Sequence, residues 1–126
     1  MKKLFISCPM KGRTDENIKK SMEAMHKIAE ATIGEELEVI PSFIEDDPPE
    51  NVNQAIYYLG RSIQMLSEAD YFIGVDDYYN YAGCEIEFNT ARSYGIGFIL
   101  VPTMFVARDI LEAVNGKGCC SPVLKG

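Results

Sequence analysis

The chain has 126 residues, 47% of them hydrophobic and 25% charged, which is room for one core and excludes a disordered or collagen-like chain. Nineteen acidic residues against twelve basic give a net charge of −7, which repels a phosphate backbone and argues against a nucleic acid polymer as partner. The longest apolar run, 95–101, is too short to span a bilayer, and Met1-Lys2-Lys3 with the short run after it lacks the length of a secretory signal, so no membrane partner and a cytoplasmic location are expected.

One domain, 1–126, is therefore expected to hold any site, alone or shared between subunits. Four cysteines, Cys8, Cys84, Cys119 and Cys120, and the single His26 offer no zinc spacing, so no metal site is expected. Free buried thiols are the expected state of Cys8 and Cys84. The adjacent Cys119-Cys120 pair can oxidise, but a reducing compartment gives it no structural role.

Strands and helices alternate along the chain. Leu4-Phe5-Ile6, ended by Cys8-Pro9, reads as a buried strand. Thr14 then caps a helix whose apolar positions Ile18, Met22, Met25, Ala29 and Ile33 recur every three or four residues, and Gly34 ends it. Leu37-Glu38-Val39-Ile40 is a second strand, followed by an acidic loop in which Pro48-Pro49 exclude helix and sheet interiors. Val52, Ile56, Leu59, Ile63 and Leu66 form the stripe of a second helix, and Tyr71-Phe72-Ile73-Gly74-Val75 is a third strand. After a loop over 76–83, a third helix runs from about Cys84 to Tyr94 and stops at Gly95. Phe98-Ile99-Leu100-Val101 is a fourth strand, which Pro102 prevents from extending. A last helix over 106–115 ends at Gly116, and the tail 116–126 is expected to be loosely held. Near-continuous apolar strands between amphipathic helices predict an α/β three-layer sandwich with a four- or five-stranded parallel sheet of the flavodoxin or Rossmann kind.

Such sheets bind ligands at the carboxyl ends of their strands, where the strand order reverses. Two loops therefore line the expected site. The first carries Ser7, Lys11, Gly12, Arg13 and Thr14, groups able to hold a phosphate or other anion at a helix N-terminus, although residue type alone favours a solvated turn for Lys11 and Arg13. The second sets Tyr78, Tyr79 and Tyr81 beside Asp76 and Asp77, a composition suited to stacking on a planar base, or equally to covering the sheet's end. On the helix that follows, Cys84, Phe88 and Ala91 form the core stripe. Glu87 lies on the border of that stripe and Glu85 points to the other side, so Glu87 is the glutamate forced toward apolar surroundings. There it is a candidate nucleophile or acid/base; spacing alone favours both glutamates simply complementing the helix dipole.

The stretches Ala69-Asp70-Tyr71-Phe72-Ile73-Gly74-Val75, Gly83-Cys84-Glu85-Ile86-Glu87-Phe88-Asn89-Thr90-Ala91 and Tyr94-Gly95 resemble the nucleoside 2-deoxyribosyltransferase family. That family has a strand opened by Ala-Asp, a glycine four residues before its nucleophilic glutamate, an alanine four after it, and a glycine before the final strand. Glu87 stands at the glutamate's place. Leu4-Phe5-Ile6-Ser7-Cys8-Pro9-Met10 also resembles the family's first strand and its Ala-Gly-Pro turn, with Ser7 and Cys8 replacing alanine and glycine. The matching pieces span roughly residues 1 to 101, and the small size fits the compact branch of the superfamily.

By that resemblance Glu87 attacks the anomeric carbon of a 2′-deoxynucleoside, releases the base and forms a glycosyl-enzyme that passes the sugar to a second base or to water. No metal or organic cofactor is implied. Relatives that hydrolyse deoxynucleoside 5′-monophosphates grip the phosphate with serine, glycine and arginine of the first loop, which here implies Ser7, Lys11, Gly12 and Arg13, with Pro9 and Met10 in the same turn. Tyr78, Tyr81 and Gly83 would line the rest of the site. Relatives also complete their sites from a neighbouring subunit, and the apolar stripe over 52–66 suits a shared helix face, so a homo-oligomer, dimer or higher, is expected.

Three positions depart from the family pattern. Tyr81 stands where transferases carry an aspartate and monophosphate hydrolases a serine, Ser62 replaces an aspartate of the preceding helix, and Asn89 replaces a glycine. Asp76 or Asp77 is the candidate substitute for a missing aspartate. Two hypotheses stay open: an enzyme acting on the N-glycosidic bond of a deoxynucleoside or its monophosphate, and a module that binds a nucleotide or nucleotide-sugar without cleaving it.

Overall fold

The computed structural model describes residues 1–10, 12–41 and 47–103. Strands β1 (Lys2–Ile6), β2 (Leu37–Val39), β3 (Tyr71–Val75) and β4 (Gly97–Val101) alternate with helices α1 (Asp15–Ile33), α2 (Gln54–Leu66) and α3 (Ala82–Ser93). The four strands form one sheet in the order β2-β1-β3-β4, and every pairing is parallel. Leu4 lies opposite Tyr71, and Tyr71 opposite Gly97.

Alternation along the strands divides the core into two layers. Leu4, Ile6, Ile73, Val75 and Val101 meet Met25 and Ala29 of α1. Phe5 and Phe72 face the other way, against Leu66 of α2 and Phe88 and Ala91 of α3. Strands that bury both faces read as unbroken apolar runs, which is why β1 and β3 were visible in the sequence. Helices thus cover both faces, and the chain is a Rossmann-like α/β three-layer sandwich with four strands. Gly74 is required by close approach, since a Cβ there would stand 2.8 Å from Cε1 of the Phe72 ring.

The ends of α1 follow local chemistry. Thr14 Oγ1 accepts the amide of Asn17 at 3.1 Å, and Gly34, at φ 85°, closes the last turn by donating to Glu30 O. The chain then returns through a clamp. Glu30 Oε2 accepts the amide of Leu37 at 2.9 Å, and His26 Nε2 donates to Leu37 O at 2.9 Å.

Two expectations need correction. The stripe Val52, Ile56, Leu59, Ile63 and Leu66 does not bury as a unit: Val52 and Ile56 are 44% and 66% exposed, Val52 precedes the helix, and Leu66 is its buried member. Only the C-terminal half of α2, through Ile63, Met65 and Leu66, reaches the aromatic layer. β4 is not buried on both faces either, because it lies at the sheet's edge in the described chain and leaves Phe98 46% exposed. Element bounds shift by a residue or two: β1 begins at Lys2, β2 ends at Val39, α3 begins at Ala82 and β4 at Gly97. The expected helix over 106–115, the Cys119-Cys120 pair, the tail 116–126 and Lys11 lie outside the described residues. No described helix is long and apolar enough to cross a membrane.

Candidate functional site

The strand order reverses at β1, which has β2 on one side and β3 on the other, so the crevice lies beyond the carboxyl ends of β1 and β3. Ser7 extends β1 by one ladder bond, its amide donating to Ile73 O at 2.8 Å. Continuing the alternation of Phe5 and Ile6, its side chain turns toward α3. There Ser7 Oγ donates to Glu87 Oε1 at 2.7 Å, joining residues 80 apart in sequence. Ser7 is 1% exposed.

Glu87 lies in the N-terminal half of α3, three residues after Cys84 and on the same side of the helix. Burial raises its carboxyl group from 4.5 to about 7 against the opposing hydrogen bond from Ser7, which favours the anion. Cys84 is buried. Burial above all, helped by the negative charges of Glu87 and Asp77, pushes that thiol up to about 11. Cys8, on the other side of the loop, is also raised by burial, partly offset by the neighbouring Arg13. Both cysteines are free thiols, as expected.

The first loop is tied inward. Arg13 Nη1 donates to Pro9 O at 2.8 Å and lies 3.4 Å from Cys8 Sγ; Nη2 donates to Asn17 O at 3.3 Å and to the hydroxyl of the buried Ser21. Arg13 is thus neither the solvated side chain that residue type suggests nor turned outward toward a phosphate. Pro9 is buried, Met10 is exposed and its carbonyl accepts the Arg13 amide, and Gly12 is exposed at φ 76°.

The second loop carries a 3-10 turn over Tyr78–Asn80. Tyr78 packs into the core with its ring centroid 4.4 Å from that of Phe88, so it covers the sheet's end. Tyr79 is exposed. Tyr81 is half-buried; desolvation first and then Asp77, by charge and a hydrogen bond, raise its phenol. Asp76 accepts the amide and hydroxyl of Thr103 at 3.4 Å, and the same hydroxyl donates to Asp77. Gly83, in the first turn of α3, has open space where a side chain would stand.

The structure therefore brings Ser7 and Glu87 together and places Asp77 near Cys84, while Asp76 and Tyr78 are engaged elsewhere. Sequence reasoning missed the roles of Ser21 and Thr103. Among the described residues no group of three or more His, Cys, Asp or Glu side chains is placed to hold a metal ion. No family model, no curated protein and no solved structure matches the chain.

Proposed function

We propose that the protein cleaves the N-glycosidic bond of a 2′-deoxynucleoside or its 5′-monophosphate, with Glu87 as nucleophile and water or a second base as acceptor. The observation that carries this reading is the buried Glu87 carboxyl group held by Ser7 at 2.7 Å in the crevice beyond β1 and β3. A carboxyl group at about 7 is substantially ionised at neutral pH, so it can attack as an anion, and the same site can protonate or deprotonate a leaving or attacking group.

The test is a panel of deoxynucleosides and their monophosphates, with and without an acceptor base, assayed for free base. Wild type releases base, and Glu87→Gln, which keeps shape and removes charge, loses roughly a hundredfold or more. Glu85→Gln, on the other side of α3, keeps near wild-type turnover. Equal turnover in both variants overturns the proposal. Binding of a nucleoside without cleavage, unchanged in Glu87→Gln, instead supports a non-catalytic binding module.

The same reading includes a homo-oligomer, at least a dimer, in the cytoplasm. Its support is apolar side chains left outside the core on α2, on α3 and at the C-cap of α3: Ile56 at 66%, Ile86 at 44% and Tyr94 at 81% exposure. Light scattering at micromolar concentration tests it; a monomer overturns it.

A further inference from the structure

We infer that a second copy of the chain docks on the outward face of α3, with the two α3 helices antiparallel about a two-fold axis that passes between Phe88 and Asn89. This rests on the homo-oligomer proposed above and not on the glycosidase reading.

Helix geometry defines the face. Cys84, Phe88 and Ala91 turn into the core, so at about 100° per residue Ile86, Asn89, Thr90 and Ser93 turn outward. Together with Tyr94 at the helix's end they line one shallow groove, with the exposed apolar groups Ile86 and Tyr94 at its two ends. Thr90 Oγ1 donates back to Ile86 O at 2.7 Å, so its methyl group is the part left for a partner. No charged side chain lines the groove, in a chain whose net charge is −7.

The charges beside the groove identify the occupant. Glu85 and Arg92 are seven residues apart, which puts them on the same flank of α3 two turns from each other. Arg92 is held on that flank by its Nη2, which donates to Asn89 Oδ1 at 2.9 Å, and by its guanidinium, 5.3 Å from the centre of the Phe88 ring. Neither Glu85 nor Arg92 has an ion-pair partner among the described residues. A two-fold axis at the midpoint reverses their order along the seam, so Glu85 meets the partner's Arg92 while Arg92 meets the partner's Glu85. A second copy thus satisfies both charges with the same two residues, as a contact between identical faces requires. The apolar groups fit the same axis. Ile86 comes to the level of the partner's Ala91, over the hollow between the partner's Asn89, Thr90 and Ser93, as a knob enters a hole. Tyr94 reaches the partner's Gly83, a position with open space around its Cα. Exposed ion pairs contribute little affinity, so the two charge pairs set direction and register while Ile86 and Tyr94 supply the burial.

The test is sedimentation of the full chain and its charge-reversed variants. Glu85→Arg sets like charges against each other at both contacts, and so does Arg92→Glu. Each variant alone is therefore expected to self-associate roughly tenfold or more weakly than wild type. An equal mixture of the two restores opposite charges at both contacts, and is expected to form heterodimers with an affinity near that of the wild-type dimer. Ile86→Asp is expected to weaken the dimer at least as much, and Ile56→Asp, on α2, to leave it intact. A wild-type dimer whose mixed variants associate no better than the separate ones overturns this seam and leaves the homo-oligomer standing. A dimer dissociated by Ile56→Asp and untouched by Ile86→Asp does the same. A wild-type monomer overturns both.

Discussion

Glu87 is an acidic side chain whose carboxyl group is shifted by burial against the Ser7 hydrogen bond, and that has a consequence for stability as well as chemistry. Its carboxyl group stands at 4.5 in the unfolded chain and about 7 in the folded one, so between those values the folded state binds more protons. Stability therefore falls as pH rises from about 4.5 to 7 and stays lowered above it, by about 3 kcal/mol at the usual 1.36 kcal/mol per pH unit. Glu87→Gln removes this cost. Urea denaturation is expected to show the variant more stable than wild type at pH 8, with the gain largely gone near pH 4.5. A variant no more stable at pH 8 than wild type contradicts the burial of the charge. Turnover, which needs the anion, should conversely rise with pH through about 7. The helix stripe of Cys84, Phe88 and Ala91 made the inward lean of Glu87 legible in the sequence. Its partner was not legible, because nothing local links residue 87 to a serine 80 positions earlier.

At the scale of elements, Arg13 ties the loop from β1 to α1 inward. The planar fork of Arg13 reaches the carbonyls of Pro9 and Asn17 and the hydroxyl of Ser21 together. A lysine ammonium cannot span these acceptors, so Arg13→Lys is expected to destabilise by about 1–3 kcal/mol in chemical denaturation despite keeping the charge. If Arg13→Lys is neutral to stability, the arginine is free for other work. Gly74→Ala drives a methyl into the fully buried Phe72 ring and is expected to cost a further 1–3 kcal/mol or so, read as a lowered melting temperature. The caps Thr14 and Gly34 were legible because each acts within its own turn of helix. The α2 stripe misled for the opposite reason: periodicity says which side of a helix is apolar and is silent on how far the neighbouring layer extends. Arg13 misled likewise, since its acceptors are backbone carbonyls and a serine that carry no signature of their own.

For the whole molecule, alternation of strands and helices made the parallel sheet legible, and apolar runs made both faces of its centre legible. Strand order was not, because it depends on which edge each crossover returns to. That order gives β1 and β3 neighbours on both sides and leaves β2, three residues long, and β4 at the edges of the described sheet. Amides of β1 and β3 are therefore expected to exchange hydrogen most slowly, and those of β2 soonest. Native-state hydrogen exchange checks this, and equal protection across the four strands would contradict it.

The pairing of Leu4 with Tyr71 also sets a timetable for the newborn chain. At roughly 5–20 residues per second, ribosomes emit β1 several seconds before β3. Through that interval β1 has only the short β2 as a sheet partner, and the edge that β3 will occupy stays open with Leu4, Phe5 and Ile6 beside it. One of the two inner strands of the finished sheet is thus left longest as an unsealed template, an edge open to wrong pairing until the second half of the chain arrives.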